Sequence, residues 1–215
     1  MKFRNRSLVI FSMLLMGTAT FLGGCATTGM DRSVKASNSI RDVDSEIRKM
    51  MVQIDATAAT LDTLIMPGQP DLKKSFNAYS DNVDKLDNEG KRVIKRTEEM
   101  KLRSNEYFSE WEKQGDAYTN PEIRELSTDR RNKLSESYAR VPAAGSGVKG
   151  TYNAYLTDLR EIQKFLSTDL TPKGIEAITP VAQKSAQDLD AFKASLKPVI
   201  SALDEIKAEL YKENK

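Results

Sequence analysis

Apolar side chains return along this chain in alternating steps of three and four, in four successive runs. The first is Ile40, Val43, Ile47, Met50, Ile54, Thr57, Leu61 and Leu64, in which only Thr57 is polar. Such steps draw a narrow stripe down one side of an α-helix, the seam of a helix packed lengthwise on a neighbour. Pro67 and Pro70, in "MPGQPD", stop it, because proline has no backbone donor and restricts the residue before it. The second run keeps the alternation from Leu72, Phe76 and Tyr79 through to Ser104, Tyr107 and Trp111. Gly90, Thr97 and Ser104 recur on it at seven-residue intervals. They are small enough to receive a bulky side chain from a partner helix or, in a functional reading, a ligand. Asn120 and Pro121 then supply an N-cap and a first-turn proline for the next helix.

The third run sets two signals against each other. "VPAAGSGVKG", residues 141–150, has the composition of a loop. Yet Leu134, Tyr138, Val141, Gly145, Val148, Tyr152, Tyr155, Leu159, Ile162 and Leu166 hold one register straight through it. A free loop has no reason to keep phase. An interior proline costs about 3 kcal/mol and each glycine about 1 kcal/mol, a total that a long packed seam can bear. The expectation is one third helix, kinked or locally frayed near Pro142. The fourth run starts after Thr171 and Pro172 and continues from Ile175 and Ile178 to Leu210, passing Pro180 and Pro198. Connections near 67–70, 118–121 and 169–172 are short, so sequential helices are expected to be antiparallel neighbours. The predicted fold is all-α, a long up-down bundle of about four helices over residues 37–215, packed through coiled-coil-like heptad seams.

Composition agrees with narrow seams: charged residues make up 30% of the chain and hydrophobic ones only 39%. The formal net charge of +2 has a local origin in Lys2, Arg4 and Arg6. Without residues 1–24, the remaining 30 basic side chains face 31 acidic ones, which leaves no electrostatic case for nucleic acid. Those first residues divide into a basic stretch, the apolar run "LVIFSMLLMGTATF" and small residues before Cys25. A helix of about 14 residues reaches roughly 21 Å, short of a hydrocarbon core of about 30 Å. Residues 1–24 therefore read as a signal peptide and not as a membrane span.

Leu22-Gly23-Gly24-Cys25 resembles a bacterial lipobox. The resemblance implies that Leu22, Gly23 and Gly24 are read by the signal peptidase. It implies that Cys25 becomes the first residue of the mature chain, acylated on its sulfur and on its amine. Ala26 is not the aspartate that favours inner-membrane retention, so the resemblance also implies delivery to the outer membrane, facing the periplasm, in an organism with two membranes. Other roles for a sole cysteine are weaker. It can form no internal disulfide, and with no histidine anywhere it makes a poor metal site or catalytic dyad. Residues 25–36, small and polar, read as a lipidated tether.

"EYFSEWEKQGDAYTNPEIRELS", residues 106–127, and "YLTDLREIQKFLSTDLTPKGIEAI", residues 155–178, resemble a family of bacterial helical proteins known only as a domain of unknown function. The likeness runs from about Leu72 to Leu210, and Trp111 with the "YTNPEIREL" turn is its most particular feature. It implies an uninterrupted third helix and brings no activity.

The chemistry-bearing residues are scattered. Asp42, Asp44 and Glu46 flank a seam and read as a solvated face, and "GSGVKG" lacks the strand and Lys-Ser/Thr pair of a phosphate loop. "GKRVIKRTEEMKLR", residues 90–103, presents Arg92, Lys95 and Arg96 as a face for anionic lipid or peptidoglycan, with Glu98 and Glu99 blunting its field. No catalytic residue, metal site or cofactor is expected. The expected role is a non-enzymatic, lipid-anchored envelope protein serving as scaffold, spacer or adaptor. Its partners are membrane lipid through Cys25 and an envelope protein or another copy of the chain. The alternative is a helical module in the periplasm binding lipid or a small apolar ligand, and Gly90, Tyr107 and Trp111 are the candidate partner or ligand contacts under the two readings.

Overall fold

The computed structural model describes residues 29–212, so the expected signal peptide, the lipobox and Cys25 lie outside the described residues. Five helices follow one another: α1 (Gly29–Ile65), α2 (Leu72–Asp116), α3 (Pro121–Ala144), α4 (Val148–Thr168) and α5 (Pro172–Lys212). The starts of α2, α3 and α5 are set by side chains that satisfy first-turn N–H groups. The Asp71 carboxylate accepts from Lys74 N–H at 2.9 Å, Asn120 Oδ1 from Glu122 N–H at 2.9 Å, and Thr171 Oγ1 from Gly174 N–H at 3.1 Å. Each such cap is worth about 1 kcal/mol. Between α1 and α2 the chain reverses through Gly68, whose φ of 74° an L side chain would strain. α5 passes through both Pro180 and Pro198 without ending.

The helices form four rods standing at the corners of a square. α1 packs on α2, α2 on α3 and α4, and α5 closes the ring against α1, α3 and α4, while the backbones of diagonal rods stand further apart. Side-chain pairs give the directions. Asp44 holds Lys207, Arg48 reaches Asp204 and Asp55 meets Lys193, so numbers rise on α1 as they fall on α5. The same holds across the third rod: Arg140 of α3 meets Glu205, Thr151 of α4 meets Ser195, and the Tyr155 and Phe192 rings lie 6.3 Å apart. One register against α5 thus spans both α3 and α4. They are a single rod bent at residues 145–147, as the unbroken periodicity requires.

Inside the square lies a continuous apolar core. Every position of the first seam is buried, Thr57 included. Thr57 Oγ1 donates to Gln53 O at 2.7 Å, and Gln53 Nε2 donates to Asn82 Oδ1 on α2 at 2.9 Å. This satisfied polar layer fixes the α1–α2 register at one height, as a polar seam residue does in a coiled coil. α1 also starts earlier than the sequence suggested. The stretch 29–36, read as tether, forms its first two turns, and Ala36 is fully buried.

Charges on the rod surfaces pull stability in opposite directions with pH. Asp44 is pushed up by partial burial, but hydrogen bonds from Arg48 and Lys207 outweigh this and hold it below the usual aspartate range. Its contribution is present above the unfolded-state value and is lost as pH falls through the folded one. Asp158 behaves oppositely. Partial burial, then its hydrogen bond and repulsion with Asp188 across the α4–α5 contact, raise it, while Lys184 opposes the rise. Stability gained there at low pH is lost as pH rises through the folded value. Asp158→Asn is therefore expected to stabilise the bundle at neutral pH by about 0.5 kcal/mol, or about 1–2 °C in thermal denaturation. The gain should vanish as pH falls below the ordinary aspartate value, and equal melting at both pH values would refute it.

Candidate functional site

The bend in the third rod opens a recess in the bundle wall. Pro142 removes one helical donor, and the backbone then tightens: Ser146 N–H reaches Ala143 O at 3.3 Å and Val148 N–H reaches Gly145 O at 3.1 Å. α4 restarts from Gly147 without a side-chain cap. Seam positions on both sides lose cover at this height. Gly145 and Val148 are only half-buried, as are Val93 and Thr97 on the facing stretch of α2. Between them lies a cavity of about 300 Å³, floored by Val43, Ile47 and Met50 of α1 and by Leu196 and Val199 of α5. Glu98, Lys101 and Lys149 stand at its mouth. Lys101 Nζ donates to Glu98 at 2.8 Å, so that pair is already compensated.

Gly90 forms part of the recess wall, and its missing side chain has a specific cause. A Cβ there would lie 2.1 Å from Tyr152 Oη and 2.2 Å from Cζ. The Tyr152 ring fills the space and its hydroxyl donates to Leu86 O at 3.3 Å. Burial first, and then the nearby Asp87 charge, push this phenol up to about 12, so it stays neutral and acts as a donor. A second buried tyrosine does the same one layer on: Tyr79 Oη donates to Leu159 O at 2.6 Å. At Gly90 the heptad of small residues is thus first a socket for a large side chain.

Tyr107 and Trp111 are not part of this recess. They sit half-buried near the α2–α3 turn, their rings 5.5 Å apart, with Trp111 Nε1 donating to Ser127 Oγ at 2.9 Å and Phe108 meeting Tyr138 edge-on at 5.4 Å. The candidate contacts therefore separate into two places, the recess wall and one end of the bundle. The basic run offers little uncompensated charge. Arg92 pairs with Glu89 at 3.2 Å and Arg96 with Glu99 at 2.7 Å along the same helix. Among the described residues there is no group of acidic, histidine or cysteine side chains arranged to hold a metal, and no helix long and apolar enough to cross a membrane. Lys149 and the 145–147 turn were missed as site features in the sequence, where the loop-like composition of residues 141–150 was the signal of a bend and the preserved phase argued against a break.

The family model described as "Protein of unknown function (DUF2959)" matches residues 29–210, which is nearly the whole of the bundle. No curated protein and no solved structure matches the chain.

Proposed function

We propose, on the premise that this chain belongs to the DUF2959 family of proteins of unknown function and inherits no activity from it, that it is a non-enzymatic, lipid-anchored envelope protein. It serves as spacer, scaffold or adaptor, and its place is the outer membrane, facing the periplasm. The order of the parts carries this reading. A basic, then apolar, then Leu-Gly-Gly-Cys segment is followed four residues after Cys25 by the first residue of α1. The longest unbroken helix of the bundle, α2 with 45 residues, spans about 68 Å. Acylated Cys25 fixes location, the seams fix length, and the charged flanks are left for an envelope partner or another copy. Labelled palmitate is expected to enter the wild-type chain and not Cys25→Ser, and equal labelling of both would remove the anchor.

The recess supports a second reading, a binding module for a small apolar ligand. Its volume is at the low end for small-molecule sites, and its floor is core side chains from two other rods. Decanoate added to the purified chain is expected to bind with measurable heat. Thr97→Phe, which fills the recess from its α2 wall, should weaken that binding by about tenfold or more. Equal heats from both chains, or none from either, would remove this reading and leave the anchor untouched.

A further inference from the structure

α1, α2 and α3 outrun α5 at one end of the bundle. Asp44, Arg48 and Arg140 meet Lys207, Asp204 and Glu205 near the close of α5. Two heptads earlier on the same faces stand Met30, Val34 and Leu126, and Ile123 stands two heptads before buried Ser137. In the antiparallel register, an α5 residue opposite them falls two heptads beyond Glu205, past Lys212, where the described helix stops. These side chains are accordingly uncovered: Met30 is 75% exposed, Val34 45%, Ile123 47% and Leu126 70%, with Tyr118 in the adjoining turn at 41%. Between α1 and α3 the floor of this open mouth is the half-buried group Tyr107, Phe108 and Trp111. No side chain is buried within residues 29–35 of α1 or 121–133 of α3.

Five of the eleven large apolar side chains left exposed among the described residues are gathered at this end; of the other six, Met66 lies in the α1–α2 turn and five stand on the helices. A gathered apolar patch marks a contact surface, where scattered residues do not. Arg32 faces Glu110 at 4.0 Å and Trp111 bonds Ser127, which puts Met30 and Leu126 at one height along the bundle axis. Cys25 lies four residues before Gly29, so the segment between them reaches at most about 14 Å. An acylated sulfur sits at the membrane surface, and the mouth is therefore tethered within that distance of the lipid.

We propose that this open end docks on the lipid bilayer, with Met30, Val34, Ile123 and Leu126 entering the interfacial layer and the rods standing away from it. The bilayer takes the place that a fourth rod occupies further along. The inference rests on the anchor reading, and the test separates the two.

The full chain is produced with Leu126→Cys, Met30→Cys or Val52→Cys, the last a mid-rod control that is 71% exposed. In acylated protein the Cys25 sulfur is blocked, and a nitrobenzoxadiazole dye enters only the new thiol. The protein is reconstituted into vesicles of phosphatidylethanolamine and phosphatidylglycerol with brominated acyl chains, and intact mass reads the state of Cys25. Quenching at positions 126 and 30 is expected to exceed that at 52 by about threefold or more. Equal quenching at all three positions in acylated protein overturns the docking and leaves the anchor standing. An unmodified Cys25 overturns both. A dye at 126 that is unquenched yet shifts to the blue as protein concentration rises overturns the docking in favour of a second copy in the mouth.

Discussion

Gly90→Ala is expected to lower the melting temperature, although alanine is the better helix former by about 1 kcal/mol. The sign turns on one distance. The added methyl would lie 2.1 Å from Tyr152 Oη and 2.2 Å from the ring carbon that bears it, so a rigid ring has to move. Tyr152 is 6% exposed and also packs against Phe192, with ring centroids 5.6 Å apart, so it has little room to retreat. Displacing it strains the α4–α5 contact and pulls its hydroxyl from Leu86 O. Overpacking of this kind costs about 1–3 kcal/mol, and a buried hydroxyl left without its acceptor about 1–3 kcal/mol more. Set against the propensity gain, a net loss of about 2 kcal/mol remains, or about 4–8 °C for a chain of this size. The control is Tyr152→Leu. In that background Gly90→Ala has open space to enter and should raise the melting temperature by the helix-propensity term alone, so the two substitutions couple by about 3 kcal/mol. A melting temperature that rises with Gly90→Ala in the wild-type background would show that Tyr152 does not fill the socket.

That pair also shows what the sequence could and could not reveal. The alternating steps mark positions that face a neighbour, and they are reliable here because one face of each rod is buried along most of its length. Thr57 stayed on the seam because Gln53 and Asn82 satisfy it. Pro180 and Pro198 stayed inside α5 because packing on three other helices outweighs a lost donor at each. Phase was preserved through "PAAGSG" for the same reason, yet phase cannot tell a continuous helix from two helices stacked in register. Composition marked a kink near Pro142, the i→i−3 backbone bonds place the break at 145–147, and the recess is visible only once Val93 and Thr97 are found half-buried opposite it. Small polar composition likewise misplaced the start of α1. "GMDRSVKA" has no seam, because no described rod covers its α5-facing side, although its backbone is helical from Gly29. Met30, Val34, Ile123 and Leu126 at the rim of the mouth were missed for that very reason, although Tyr107 and Trp111 on its floor were candidates: an apolar stripe with no partner has no second stripe to confirm it.

Cys25→Ser is expected to move the chain from the membrane fraction to the soluble one, and the energetic comparison is lopsided. Each buried methylene contributes about 0.8 kcal/mol, one acyl chain binds a bilayer only marginally, and two or more hold it almost permanently. The mouth has five exposed apolar side chains. Full burial of such a side chain yields about 1.5–3 kcal/mol, and interfacial contact buries only part of each. Much of that gain is offset by the entropy of holding the rod in one orientation, so under the proposed anchoring the mouth's part is to orient a chain that acyl groups deliver. The serine variant should accordingly show weak association that dilution reverses, with residues 1–24 still attached because the thiol that precedes cleavage is gone. An uncut apolar run of about 14 residues is too short to span the hydrocarbon core, so any hold it adds is at the interface. A serine variant that stayed in the pellet through an alkaline carbonate wash would mean that a segment of the chain other than the lipid on Cys25 is enough to hold it to the envelope.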